Sequence, residues 1–156
     1  MAGDRLNFEG KNGEFCVGSA VVHPWHLDQL GHMNVRWYAH FFDDASFQFL
    51  EIIGVGPSAR DGLINVHCVT AQSTTQYKSE LLAGTCVKVI GHVKRIGRKS
   101  MSLHYRMVGS VCGTEYAVCE TVDVFVNADT HQSVEIPDVV RRVLVRHSLP
   151  GGTGPC

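Results

Sequence analysis

The six cysteines of this chain never occur as a CxxC pair, which argues against a zinc knuckle or a dithiol redox motif. They are scattered at Cys16, Cys68, Cys86, Cys112, Cys119 and Cys156, and most read as small core residues on strands. No apolar run reaches the length needed to span a bilayer, so no membrane association is expected. The first thirteen residues carry Asp4, Arg5, Glu9 and Lys11 and lack the apolar centre of a signal peptide. A reducing, cytoplasmic setting is the expectation. Charge of one sign is also missing: the net charge is -1, which leaves no basic field to attract nucleic acid.

What is present is a globular composition. Apolar residues make up 44% of 156 residues and charged residues only 19%, enough apolar material for one core and too little charge for disorder. A single domain over 1–156 is expected, with flexible ends at 1–13 and 150–156.

Hydrophobic periodicity sets the element order. Glu14 to Val22 reads as a strand that His23-Pro24 ends, because proline has no N–H for the ladder. A polar loop follows, then a segment from Val35 to Ile53 without proline or glycine. Asn34 is a good helix N-cap and Gly54 a good stop. This segment is apolar on nearly every side, apart from a stripe through His40, Asp44, Gln48 and Glu51, which predicts a buried helix. Asp43 lies off that stripe, between Ala39 and Phe47 at helical spacing, and is expected to be buried with a hydrogen-bond partner. Strands with period two follow over 66–77, 87–93, 101–107 and 116–126, and Pro137 opens a short helix near 138–146. One strand, one long helix and about four antiparallel strands define an α+β chain. A curved antiparallel sheet of about five strands wrapped around one central helix, the hot-dog arrangement, accommodates that order.

The densest cluster of reactive side chains is the loop before the helix: His23, His26, Asp28, His32 and Asn34. It ends at a helix N-terminus, where free N–H groups and the positive end of the dipole collect. A carboxylate beside such donors has the two parts acyl transfer needs, a nucleophile or base and an oxyanion donor. The competing reading is that Asp28 caps a turn, a common use of aspartate. The histidines and Asp28 match no metal-binding spacing, so no metal is expected. The basic run Lys94 to Ser100 falls at a turn between strands, either a solvated hairpin tip or a clamp for phosphates. Trp25 and Trp37 flank the loop as core or pocket wall, and a cationic acyl group could stack on them.

Asp28-Gln29-Leu30-Gly31-His32-Met33-Asn34 has the form D-x-x-G-H-x-N, with Tyr38 and Asp43 following. It resembles the signature of the 4-hydroxybenzoyl-CoA thioesterase family and its acyl-CoA thioesterase relatives. The likeness extends to Gly97-Arg98-Lys99-Ser100 and the last Val-rich strand. It implies hydrolysis of an acyl-CoA, with CoA part of the substrate and no separate cofactor. It makes Asp28 the catalytic carboxylate, as nucleophile or general base, and assigns the oxyanion donor to the backbone N–H of Val35. His32 and Asn34 agree with the G-H-x-N form of other thioesterases: His32 as proton-transfer aid or loop strut, Asn34 as cap first and as carbonyl or water ligand second. Tyr38 and Trp37 are placed at the substrate, and Arg98, Lys99 and Ser100 at the CoA phosphates. The rival readings are a thioesterase for acyl carrier protein and a non-catalytic acyl-CoA-binding protein. Unpaired sheet edges predict a homodimer, and the family resemblance a homotetramer built from two.

Overall fold

The computed structural model describes residues 13–59 and 65–149. The elements are β1 (Phe15–Val21), α1 (Val35–Ile52), β2 (Val66–Tyr77), β3 (Cys86–Ile96), β4 (Ser100–Gly109), β5 (Glu115–Asn127) and α2 (Asp138–Arg146), with short 3-10 turns at Pro24–His26 and Pro57–Ala59. All five strands form one antiparallel sheet in the order β1-β3-β4-β5-β2, with α1 against its inner face. The expected hot-dog architecture is what forms. The expectations for residues 1–12 and 150–156 fall outside the described residues.

The packing is asymmetric. Tyr38, Phe42, Ala45 and Phe49 recur at spacings of four, three and four, and form one buried stripe on α1. That stripe presses on β1 and β3. Gly18 in β1 lets the helix close in, so that Ala45 and Gln48 lie within van der Waals reach of where a β-carbon would stand. Further along, Phe15 and Phe49 stack with centroids 4.5 Å apart and planes 8° apart. Gly91 in β3 faces Phe15 on one side and Tyr105 on the other. Its missing side chain makes room for both rings, each fully buried. α2 closes the far end of this half, with Val140 and Leu144 buried and the His147 ring edge-on to Phe15.

Three expectations fail here. The helix is not buried on most sides, because β2 and β5 do not close over it and Phe47 stays exposed. Asp43 is exposed for the same reason: its apolar neighbours Ala39 and Phe47 lie on that uncovered side, so local apolarity did not mean burial. Of the described cysteines only Cys119 is a core residue; Cys86 and Cys112 are exposed, Cys112 in the β4–β5 turn.

Gly91→Val should destabilise the fold by about 1–3 kcal/mol, the usual cost of overpacking. A β-carbon there would sit 2.8 Å from the Tyr105 ring. Urea unfolding followed by tryptophan fluorescence measures it, and an unchanged midpoint would refute the packing account.

Candidate active site

The loop between β1 and α1 is a small built object. The Pro24–His26 turn is closed by His26, whose Nδ1 accepts the His23 N–H at 3.0 Å. That contact places the proton of neutral His26 on Nε2. His26 is 7% exposed, packed under Trp37 at 4.5 Å and against Phe41 at 5.3 Å. Its carbonyl accepts the Asn34 N–H at 2.9 Å and so holds the helix start. Between these points the chain makes a tight reversal. Leu27 and Met33 bridge, the Asp28 N–H reaches the His32 carbonyl at 2.9 Å, and Gly31 takes φ +81 at the tip. The Met33 N–H then bonds the Leu81 carbonyl at 2.8 Å, tying the loop to the β2–β3 connection.

Asp28 sits in this reversal, partly buried. One carboxylate oxygen, Oδ1, accepts the Leu30 N–H at 2.8 Å and the His32 N–H at 3.5 Å. The side chain organises the turn through Oδ1, while among the described residues Oδ2 accepts nothing. Asn34 caps α1, its Oδ1 accepting from the Arg36 N–H at 3.1 Å and its carbonyl from Trp37 at 2.9 Å. Among the described residues the Val35 N–H donates to no partner, and Val35 is 57% exposed. A donor without a partner among the described residues, at the first residue of an 18-residue helix, is an anion-stabilising group by position.

His32 turns away from Asp28: its Nε2 lies 3.1 Å from the Glu80 carboxylate. Tyr38 is buried, its ring edge-on to Tyr77 at 5.1 Å and its hydroxyl 3.4 Å from the Ser79 carbonyl. His32, Val35, Tyr38 and Tyr77 line a small hollow of about 260 Å³ at the helix start. Trp37 packs on His26 and His40 and lines neither of the two larger cavities, while Trp25 is 63% exposed and stacks on His23 at 4.2 Å. Among the described residues no group of three or more His, Cys, Asp or Glu is placed to hold a metal ion.

The basic turn lies elsewhere. Lys99 Nζ donates to the Ser133 carbonyl at 3.0 Å, Arg98 Nε is 3.6 Å from the Glu135 carboxylate, and Arg141 braces the Gly97 carbonyl at 2.9 Å. The Asp28 loop follows β1 at the end of the sheet where β3 begins, and the 97–100 turn follows the other end of β3. Eleven strand residues separate the two ends, roughly 35 Å of strand. Within one chain, then, the predicted catalytic loop and the predicted phosphate clamp are not brought together.

Sequence reasoning missed a second and larger cavity, about 430 Å³, between α1 and the inner face of β2 and β5. Ser46, Thr70, Ser73, Thr121 and the misassigned Asp43 line it. The signal was available as a cluster of Thr and Ser over 70–75, but reading which of them face inward needed the register of β2.

Residues 22–144 match the thioesterase-like superfamily. The chain belongs to that family, and its class is that of a thioester hydrolase. No curated protein matches the sequence. Solved structures share the fold. A protein of Staphylococcus aureus in complex with CoA has 21% identity over 91% of this chain and 90% of that one, at a TM-score of 0.78. A predicted thioesterase of Bacillus stearothermophilus has 22% identity, coverage of 88% and 99%, and a TM-score of 0.75. A 1,4-dihydroxy-2-naphthoyl-CoA thioesterase of Synechocystis has 10% identity, coverage of 85% and 96%, and a TM-score of 0.71. Among the described residues no helix is long and apolar enough to cross a membrane.

His26 generates a prediction. Burial first, then the nearby His23 and His40, hold its pKa below the ordinary value of 6.5. The unfolded chain therefore binds a proton at a pH where the folded chain does not. Stability should be fully present above pH 6.5 and fall as the pH drops through that value toward the lower folded pKa. Urea titrations at several pH values measure this, and His26→Gln should flatten the fall. An equally steep fall in the variant would refute the assignment.

Proposed function

We propose that this protein hydrolyses acyl-CoA thioesters with Asp28 as its catalytic carboxylate. The observation that carries the reading is the pairing of a half-used carboxylate with an unused donor. Asp28 is locked through Oδ1 with Oδ2 free, on a loop that ends at the unpaired Val35 N–H. Water attacks the thioester carbonyl carbon and gives up a proton to Asp28 Oδ2. The Val35 N–H meets the oxygen that turns anionic, helped by the dipole of α1. The C–S bond then breaks, and the proton passes to the departing CoA sulfur. His32, bound to Glu80, acts as a strut for the loop, and Asn34 as the cap that keeps the Val35 N–H unpaired.

The active unit is proposed to be a homodimer joined through β2, itself able to pair into a homotetramer. β2 is a twelve-residue edge strand without proline, and most of it is exposed. Antiparallel pairing with a symmetry mate would lay Tyr77 beside the mate's Val66 end. Ser100 pairs with Val124, whose other neighbour is Val69, so the mate's 97–100 turn arrives at the same end as Tyr77. Tyr77 meets Tyr38 edge-on at the helix start. The mate's β4 lies three strand spacings away, about 14 Å, within reach of a CoA spanning the seam. Arg98, Lys99 and Ser100 would then serve the site of the partner, which accounts for their distance from Asp28 in one chain. A relative of this fold was solved with CoA bound. No cofactor is needed, since CoA is part of the substrate. Residues 1–156 are read as one domain, and the free thiols fit a cytoplasmic location.

Asp28→Asn should lower turnover by on the order of 10²-fold or more while leaving the circular dichroism spectrum unchanged. A folded variant with near-normal turnover would remove Asp28 from the mechanism. Arg98→Ala/Lys99→Ala should raise KM for acyl-CoA more than it lowers kcat, since the phosphates are remote from the thioester. Refolding a mixture of this variant with Asp28→Asn should, at substrate far below the raised KM, recover activity well above that of either alone, because mixed dimers hold one intact composite site. No recovery, with mixed dimers confirmed by mass, would refute the shared site.

A further inference from the structure

The two halves of the inner sheet face differ in chemistry. Beneath the α1 stripe, β3 and β4 present Val87, Val89, Val93, Leu103 and Met107, all buried and apolar. Beneath the uncovered side of α1, the wall of the 430 Å³ groove is hydroxyl-bearing: Thr70, Ser73 and Thr75 from β2, Thr121 from β5 and Ser46 from the helix. A bulge creates this wall. The register shift between Thr70 and Gln72 puts Thr70 opposite Asp123 and Ser73 opposite Thr121, so residues three apart share the inner face. Without it, Thr70 and Ser73 would point to opposite faces.

Behind the two threonines lies a buried carboxylate that the proposed chemistry does not use. Asp123 is 2% exposed; Oδ1 accepts from the Thr70 hydroxyl at 2.6 Å and Oδ2 from the Thr121 hydroxyl at 2.7 Å. Among the described residues no basic side chain pairs with it. Each threonine spends its one proton on Asp123, so what both offer the groove is lone pairs. The groove thus offers the lone pairs of Thr70 and Thr121, whose protons are committed to Asp123, beside the hydroxyls of Ser46 and Thr75.

We infer that this groove receives the acyl group, and that it selects an acyl group carrying a hydroxyl over the saturated acyl group of equal length. The inference rests on the thioesterase reading and deepens it by naming the substrate class. A substrate hydroxyl can give its proton to a threonine lone pair while its oxygen accepts from Ser46 or Thr75. A saturated chain in the same place displaces water from these groups and returns no hydrogen bond, and sites built this way reject the analogue lacking the polar group. Edge pairing of β2 would use its backbone and leave the inward hydroxyls facing the groove.

The test compares β-hydroxybutyryl-CoA with butyryl-CoA, and ω-hydroxyhexanoyl-CoA with hexanoyl-CoA, by kcat/KM. At least one hydroxylated member should exceed its saturated counterpart by 10-fold or more. In Thr121→Val that ratio should fall several-fold. Should loss of a donor to buried Asp123 unfold the protein, Ser73→Ala, whose hydroxyl meets Cys119 Sγ rather than Asp123, should still lower the ratio. Ratios near one in the wild type, or ratios unmoved in every folded variant, would overturn the inference while leaving hydrolysis itself intact. If none of the four is hydrolysed, the thioesterase reading falls separately. The preference is then read from Kd by calorimetry, where equal values for hydroxylated and saturated members would overturn it.

Discussion

The close approach of α1 to β1 governs the rest of this molecule. Gly18 removes the side chain that would hold the helix away, Ala45 fills the gap, and the Phe15–Phe49 stack anchors the helix at its far end. A helix held there cannot also lie on β2 and β5. Its first residue is delivered to the β2–β3 connection, where Met33 and Tyr38 meet Leu81 and Ser79. The groove and the exposed helix start both follow from that single displacement.

The loop before the helix shows how one side chain can organise a turn and still be available for chemistry. A carboxylate has two oxygens, and Asp28 commits only one. His26 does the complementary work, bonding the His23 N–H with its ring and the Asn34 N–H with its carbonyl. Burying a histidine to do this stores a pH dependence in the site, since the neutral ring is the form that fits. The aromatic layer of Trp37, Phe41 and His26 is therefore scaffold, which is why Trp37 faces its neighbours and neither large cavity.

Separation of the Asp28 loop from the 97–100 turn gives the exposed β2 edge a meaning. An edge strand of twelve residues is ordinarily shielded by proline, by charge or by a covering element, and β2 has none of these along its centre. Two-fold pairing would satisfy its backbone and exchange the ends of the two sheets, so that a loop and a turn far apart in one subunit share one seam.

The element order, most strand and helix limits to within a residue or two, and the D-x-x-G-H-x-N loop were legible in the sequence, because each rests on local rules: period two, period 3.6, proline exclusion and capping. Asp28 and Asn34 could be singled out because their roles are set by neighbours within a few positions. What the sequence could not decide was which side of an all-round apolar helix meets the sheet. That choice depends on Gly18 and Gly91, distant in sequence, opening space for Phe15, Ala45 and Tyr105. It left Asp43 exposed where local apolarity predicted burial. The bulge in β2 likewise decides that Thr70 and Ser73 share a face, and it is visible only against β5. Periodicity names the elements; long-range packing sets the side each one presents.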